Sequence, residues 1–347
     1  MTGFLALEDG TVFRGESVGA PGFAFGEAVF ATSMTGYQEL VTDPSYAEQL
    51  LCFTAPMVGN YGVAKGRSES GRAHVRGAVM REARGPAWTD WLHERGIPAL
   101  TGLDTRSLVL HLREEGAMRG VVVADGGSVE EAVRAVNERP AMKGRALVAA
   151  VSTREPYVYA DVGRVDLAVV DYGCKRSILR RLAGAGAAVT VYPHDVDADT
   201  LAGHDGVVLS NGPGDPEPLH GEVAALRELL GRVPVLGICL GHQLLGLATG
   251  HETYKLPFGH RGANHPVLER ATGRVLVTSQ NHGFAVAPSD DAEATHVSLY
   301  DDTVEGFDFP DLRARSSVPA SEQPPPPARR MTRRSRQRRE AHPRRAA

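Results

Sequence analysis

Strand-length apolar runs alternate with helix-length segments between residues 165 and 248, and this alternation is the strongest constraint on the fold. Residues 166–171 enclose the run Leu-Ala-Val-Val, which is typical of a strand buried on both faces of a parallel sheet. Strands are also predicted at 188–192, 206–210 and 234–238, and helices at 177–183, 221–230 and 241–248. Such an order predicts an α/β fold with an open, mostly parallel sheet covered by helices, which binds ligands beyond the carboxyl ends of its strands.

The first half of the chain has a different sequence pattern, which predicts short strands broken by glycine and helices near 86–96 and 128–136. This pattern predicts a smaller α+β domain ahead of the parallel sheet. The predicted organisation is an N-terminal domain at 1–150, a linker at 151–164, a second domain at 165–314, and a tail rich in proline and arginine at 315–347, disordered or frame-shifted.

Composition excludes several classes of protein. The chain has three cysteines in 347 residues, which excludes a disulfide framework and a four-cysteine zinc site, and the sequence predicts no metal site. No apolar run approaches the ~20 residues of a membrane span, and the N-terminus lacks the pattern of a secretory signal. These features predict a cytoplasmic location and no membrane partner.

The formal net charge of −4 is unevenly distributed along the chain. Residues 313–347 carry eleven arginines and two glutamates, a local balance of +9, which leaves −13 for residues 1–312. A body this acidic is not a nucleic-acid binder by its field, because affinity for polyphosphates requires concentrated positive charge.

One cysteine lies where a strand is predicted to turn into a helix, in the sequence Gly237-Ile238-Cys239-Leu240-Gly241. This is the thiol form of the Gly-x-Ser-x-Gly elbow, in which flanking glycines allow the turn that exposes a nucleophile. The helix start favours negative charge, so we expect a lowered pKa for the Cys239 thiol, and the N–H of Leu240 is placed to receive an oxyanion. The alternative is a buried, inert cysteine that packs as a small hydrophobic side chain.

Three further segments supply polar groups at the same predicted sheet edge: a glycine- and proline-rich loop at 210–216, residues 242–245, and a compact loop at 279–284. Together, the segments 209–216, 237–245 and 278–286 resemble class I (triad) glutamine amidotransferases. The segments 258–266, 32–46, 59–62 and 102–106 narrow the resemblance to the small chains of carbamoyl-phosphate synthetase, and it covers roughly residues 3–312.

The resemblance implies that Cys239 attacks the side-chain amide of glutamine and forms a glutamyl thioester. Matching positions imply a glutamine-binding set of Ser45, Gly212, Gly214, Leu240, Gln243, Asn281, Gly283 and Phe284. Ser45 would reach the site from the other domain, although residues 43–45 alone read as an ordinary turn. The resemblance also implies a heterodimer with a large synthetase chain that uses ATP and Mg²⁺ to make carbamoyl phosphate for arginine and pyrimidine synthesis. No cofactor is expected on this chain.

The chain departs from the family pattern after Ser316. The family carries His-Pro-Glu there to activate the thiol, whereas this chain has Val-Pro-Ala-Ser-Glu-Gln, four prolines and an arginine-rich run. We weigh three interpretations: a subunit that lost its dyad and serves as a scaffold, a reading frame shifted near Ser316, and a tail that attracts nucleic acid or membrane surfaces. The match to the family pattern is lost abruptly after Ser316, which favours the shifted reading frame.

Other histidines are weak candidates for the missing base. His242 follows the thiol by three residues along the predicted helix, His282 lies in a ligand loop, and His260 and His265 lie in a glycine-rich segment. Hydrolysis of a different amide without a partner chain is a further alternative.

Overall fold

A computed structural model describes residues 2–289 and 292–317. The first half contains a closed barrel of seven strands in the order β1-β2-β6-β5-β4-β3-β7. The strands are β1 (Thr2–Leu7), β2 (Val12–Ser17), β3 (Phe23–Ala31), β4 (Gln49–Phe53), β5 (Gly77–Val79), β6 (Ala99–Thr101) and β7 (Met118–Val123). Strands β3 to β6 pair in parallel along the barrel, and the remaining pairs are antiparallel.

Four helices accompany the barrel: α1 (Tyr37–Thr42), α2 (Pro86–Glu94), α3 (Thr105–Glu115) and α4 (Val129–Asn137). The predicted helices near 86–96 and 128–136 are α2 and α4. Ser128 caps α4, since its hydroxyl oxygen accepts from the N–H of Glu131. Leu5, Leu50 and Leu100 belong to one buried apolar cluster that also packs against α3.

The second half is a ten-stranded sheet in the order β14-β13-β15-β16-β17-β12-β11-β9-β10-β8. Its strands are β8 (Tyr157–Ala160), β9 (Val165–Asp171), β10 (Ala187–Pro193), β11 (Gly206–Leu209), β12 (Val235–Ile238), β13 (Thr253–Glu269), β14 (Arg274–Val286), β15 (Ala294–Ser298), β16 (Val304–Phe309) and β17 (Ala314–Ser317). The five strands from β17 to β10 are parallel, and the others join antiparallel.

Helices α5 (Arg176–Gly184), α6 (Ala198–Leu201), α7 (His220–Leu229) and α8 (Leu240–Ala248) connect the parallel strands. The predicted α/β class with a parallel sheet is confirmed, and so is each strand and helix predicted between 165 and 248. The antiparallel strands β13 to β16 extend this sheet beyond the predicted part.

Two predicted boundaries differ from the structure. The predicted linker at 151–164 contains β8, which pairs with β10 at the sheet edge. The four residues of β8 are apolar or aromatic but mostly exposed, so this short edge strand is not part of the buried core. The predicted tail begins within β17, whose Ala-Arg-Ser-Ser sequence has little strand character. Ala314 and Ser316 are nevertheless buried. The rest of the predicted tail, from residue 318, lies outside the described residues.

No helix in the described part of the chain combines the length and apolar character needed to cross a bilayer.

Candidate active site

Cys239 lies on a sharp turn between β12 and α8. Its φ of 54° and ψ of −105° are unusual for a residue other than glycine, and such a conformation costs on the order of 1–3 kcal/mol. The flanking glycines are required by close contacts: a Cβ on Gly237 would lie 2.5 Å from the Gly241 carbonyl oxygen, and one on Gly241 would lie 2.4 Å from that of Leu209. The predicted elbow geometry is therefore present.

The thiol of Cys239 is enclosed and protonated. The side chain is 4% exposed, and Sγ donates to the carbonyl oxygen of Asn281 over 3.6 Å. Burial raises the pKa of Cys239 to about 12, although the Lys175 ammonium and the Leu240 N–H both favour the thiolate. The expected lowering of this pKa is wrong, because desolvation of the charged form outweighs the helix start.

An ion pair between the two halves of the molecule, with Asp43 buried and Lys175 partly buried, lies beside the thiol. Lys175 Nζ is 3.8 Å from Asp43 Oδ2, and the same oxygen accepts from Asn281 Nδ2 over 3.2 Å. Burial lowers the pKa of Lys175, but Asp43 and other nearby acids outweigh it and the net shift is upward, so Lys175 is charged. A fixed positive charge thus faces the position of a thiolate.

A single pocket brings the thiol together with seven of the eight residues predicted to bind glutamine. They are Ser45, Gly212, Gly214, Gln243, Asn281, Gly283 and Phe284. Leu240, the eighth, is buried next to the pocket, and a Cβ on Gly212 would lie 2.7 Å from its Cδ2. Leu240 is predicted to contribute its backbone N–H. This N–H interacts with Cys239 and favours its thiolate.

Hydrogen bonds hold the pocket residues from both halves in place. Ser45 lies on a short 3-10 turn at 44–46, and its hydroxyl accepts from Asn211 Nδ2 over 2.9 Å. Gln243 Nε2 donates to the carbonyl oxygen of Phe284 over 2.7 Å. Gly214 has a φ of 90°, which favours glycine, and a Cβ there would lie 2.6 Å from the carbonyl oxygen of Arg145. Hydrogen bonds from both halves thus hold the polar groups of the pocket.

Several pocket residues were not predicted, namely Glu27, Gln49, Met142, Pro213, Arg261 and His282 as a lining residue. Glu27 is buried on β3 and lies 2.5 Å from Lys255 Nζ, and it also accepts from Gln49 Nε2 over 3.1 Å. Arg261 lies 3.9 Å from the same carboxylate. A lone acid in the otherwise apolar run of β3 was a signal for Glu27; nothing in the sequence separates Gln49 or Met142 from ordinary residues.

The end of the described chain meets the elbow. β17 runs parallel to β12, and the Cys239 N–H donates to the carbonyl oxygen of Ser317 over 3.4 Å. In residues 2–289 and 292–317, no histidine is a hydrogen-bond partner of the thiol. His242 instead pairs its Nδ1 with the hydroxyl of Ser316 over 2.8 Å, and His260, His265 and His282 lie together on the antiparallel side of the sheet.

Known proteins of high similarity cover nearly the whole of this chain. Carbamoyl phosphate synthase small chains from Methanopyrus kandleri and Syntrophotalea carbinolica are 47% and 44% identical over 334 and 343 residues. Each comparison covers 91% of this chain, and 92% and 91% of the relatives. A small chain from Xanthomonas campestris pv. campestris is 45% identical over 340 residues, with 90% of each chain covered. The chain belongs to the carbamoyl phosphate synthase small-chain family.

Two family models divide this small-chain family member in the same way as its architecture. Residues 5–122 match the carbamoyl-phosphate synthase small chain, CPSase domain, and include the whole barrel except the first residues of β1 and the last of β7. Residues 168–316 match glutamine amidotransferase class-I, which carries the elbow and most of the pocket. That match ends inside β17, where the sequence departs from the family pattern.

Proposed function

We propose that this chain is the glutaminase subunit of a carbamoyl phosphate synthase and uses Cys239 to release ammonia from glutamine. One observation carries the proposal: a thiol on a strand-to-helix elbow shares a polar pocket with seven residues matching glutamine-contacting positions. Glutamine is the substrate, and the ammonia passes to a large chain that holds ATP and Mg²⁺. The product, carbamoyl phosphate, supplies arginine and pyrimidine synthesis.

The reaction has two halves. The Sγ–H proton of Cys239 passes to a base, and Sγ forms a bond to the side-chain amide carbon while the carbonyl electron pair moves to oxygen. The N–H of Leu240 and those of the 212–214 loop bind this oxyanion. The C–N bond then breaks, and the nitrogen takes the proton from the base and leaves as ammonia. Water cleaves the thioester, so glutamate departs and sulfur regains its proton.

The first step depends on the base. With a pKa of about 12, only roughly one Cys239 side chain in 10⁵ is a thiolate at pH 7, so a nearby proton acceptor is required. β17 ends at Ser317 beside the elbow, and the family pattern carries its His-x-Glu shortly after the position of Ser316. The sequence after Ser317 contains no His-x-Glu.

We therefore propose that the sequence from about residue 316 is read in a shifted frame and that the natural protein carries the dyad. The first test is a new DNA read across codons 300–347. A correction of one or two bases that restores His-x-Glu supports full glutaminase chemistry. Confirmation of the given frame supports the alternative, a subunit that binds the large chain without hydrolysing glutamine.

The glutaminase proposal is tested on the complex with the large chain, from a frame-corrected gene. We expect Cys239→Ala to abolish carbamoyl phosphate formation from glutamine and to leave formation from added ammonia unchanged. Cys174→Ala is the matched control, since this thiol lies outside the pocket. Equal glutamine-dependent activity in Cys239→Ala and the unaltered chain would refute the proposal. Hydrolysis of another amide without the large chain would indicate an independent amidohydrolase.

A further inference from the structure

Two histidines and a glutamate converge behind the glutamine pocket, on three strands of the antiparallel part of the sheet. His260 lies on β13, His282 on β14 and Glu305 on β16, and all three are buried. One nitrogen or oxygen atom from each lies within 4.8 Å of the others. We propose that His260, His282 and Glu305 bind a divalent transition-metal ion, of which zinc fits the donor set best. The site adjoins the glutamine pocket, which His282 also lines, but it does not include Cys239.

Hydrogen bonds fix the direction in which His282 presents its lone pair. Nδ1 lies 2.9 Å from the carbonyl oxygen of Phe284, which can only accept, so Nδ1 carries the proton. In this tautomer Nε2 holds a lone pair, which points into the cluster.

The atoms that face this lone pair are themselves acceptors. Thr278 donates its hydroxyl proton to the carbonyl oxygen of His265 and accepts from Gln280 Nε2, which turns Gln280 Oε1 toward His282. That oxygen lies 3.3 Å from His282 Nε2, and Glu305 Oε2 lies 3.6 Å from it. Glu305 Oε2 is buried and accepts no hydrogen bond. His282 Nε2, Gln280 Oε1 and Glu305 Oε2 thus lie close together in a buried place, where a bound cation would satisfy their lone pairs.

The His260 ring has one nitrogen beside a carboxylate outside the cluster and the other nitrogen inside it, as is typical of metal-binding histidines. Its Nε2 lies 2.8 Å from Asp301 Oδ2, and its Nδ1 lies 3.0 Å from Glu305 Oε1. A metal ion would bind Nδ1 on the side of Glu305, while Asp301 would accept from the N–H of Nε2, as carboxylates that orient a metal-binding histidine do.

The distances suit zinc. Bonds of about 2.1 Å at tetrahedral angles put neighbouring ligand atoms about 3.4 Å apart, and the three residues each offer an atom within 4.8 Å of the others, so small adjustments of the side chains would close the site around an ion. Two imidazoles and a carboxylate are a donor set that zinc commonly takes. A bound ion would join β13, β14 and β16 directly behind Asn281 and Gly283, and would fix the strand that lines the pocket.

The full chain, stripped with a chelator, is titrated with Zn²⁺ and separately with Co²⁺. We expect one equivalent to bind, and the Co²⁺ form to absorb in the visible range as a tetrahedral complex without a thiolate charge-transfer band. Glu305→Gln should weaken binding on the order of 100-fold or more, and Cys239→Ala should leave it unchanged. His296→Asn is the matched control, since this partly buried histidine of the same sheet lies outside the cluster.

Asp301→Asn keeps the test decisive if Glu305→Gln does not fold, because Asp301 is partly exposed and acts only through His260. We expect it to weaken Zn²⁺ binding by about 10- to 100-fold. Absence of stoichiometric binding, loss of binding in Cys239→Ala, or equal affinity in Asp301→Asn and the unaltered chain would overturn the proposal. Because the readout is metal binding, it stands or falls independently of glutamine hydrolysis.

Discussion

The backbone N–H of Cys239 donates to the carbonyl oxygen of Ser317 over 3.4 Å. This hydrogen bond joins Cys239 to β17, the last strand described. In the pairing of β17 with β12, Ser317 lies opposite Ile238, the residue before Cys239. The elbow is therefore tied through its backbone to the strand in which the match to glutamine amidotransferase class-I ends.

Restoring the reading frame should restore turnover. A frame-corrected chain in complex with the large chain should hydrolyse glutamine about 10²- to 10⁴-fold faster than the chain as given, the usual contribution of a general base. Ammonia-dependent synthesis by the two complexes is the control and should be equal. Fast glutamine hydrolysis by the chain as given would show that another group activates Cys239.

Alkylation of Cys239 should report its raised pKa. Because only the thiolate reacts, the rate of labelling by iodoacetamide should keep rising with pH above 9, toward the pKa of about 12. Lys175→Met removes the cation that favours the thiolate and should slow labelling at any fixed pH. Lys65→Met, at an exposed lysine, is the control. A labelling rate that levels off near pH 8 would contradict the raised pKa.

The elbow should not tolerate a side chain at Gly241. Gly241→Ala places a Cβ 2.4 Å from the Leu209 carbonyl oxygen, so backbone must move, and we expect a loss of about 1–3 kcal/mol in the free energy of unfolding. Gly184→Ala is the control, because it ends α5 with nothing within 4 Å, and it should be neutral or stabilising by up to ~1 kcal/mol. Denaturant titration of both variants measures the difference.

His242 should make the fold sensitive to acid. Burial lowers the pKa of His242 to about 4, so its neutral form is stabilising above the unfolded-state pKa near 6.5, and that stability is lost as pH falls toward 4. A shift of this size corresponds to about 3 kcal/mol. His242→Gln should flatten the dependence of unfolding free energy on pH between 6.5 and 4.

His93→Gln, at an exposed histidine, is the control for this titration and should keep the slope of the unaltered chain. If His242→Gln retains the full slope as well, the acid sensitivity comes from other groups.

The sequence predicts structure best where burial produces a simple pattern of apolar residues. The apolar run at 166–171 predicted β9, and the glycines around Cys239 predicted the elbow, because close backbone contacts there exclude other residues. Ser45 entered the site through family resemblance, since no local pattern shows that a turn in one half contacts Asn211 in the other.

The remaining features depend on tertiary packing. β8 is a four-residue edge strand with exposed side chains, β17 lacks an apolar pattern, and closure of the barrel depends on pairings between distant strands. The raised pKa of Cys239 results from burial of the thiol by residues of both halves. A sequence motif that covers only β12 and α8 carries no information about that burial. The cluster of His260, His282 and Glu305 spans three strands, so its spacing in the sequence carries no ligand signature.

The position of β17 sets an order of assembly for the protein. The last described strand lies in the interior of the sheet, parallel to β12 on one side and antiparallel to β16 on the other. During synthesis, the parallel strands and the antiparallel strands emerge before the strand that joins them. Completion of the sheet therefore waits for β17, which leaves the ribosome after the strands on both sides of it, and changes to β17 affect the folding of both parts of the sheet.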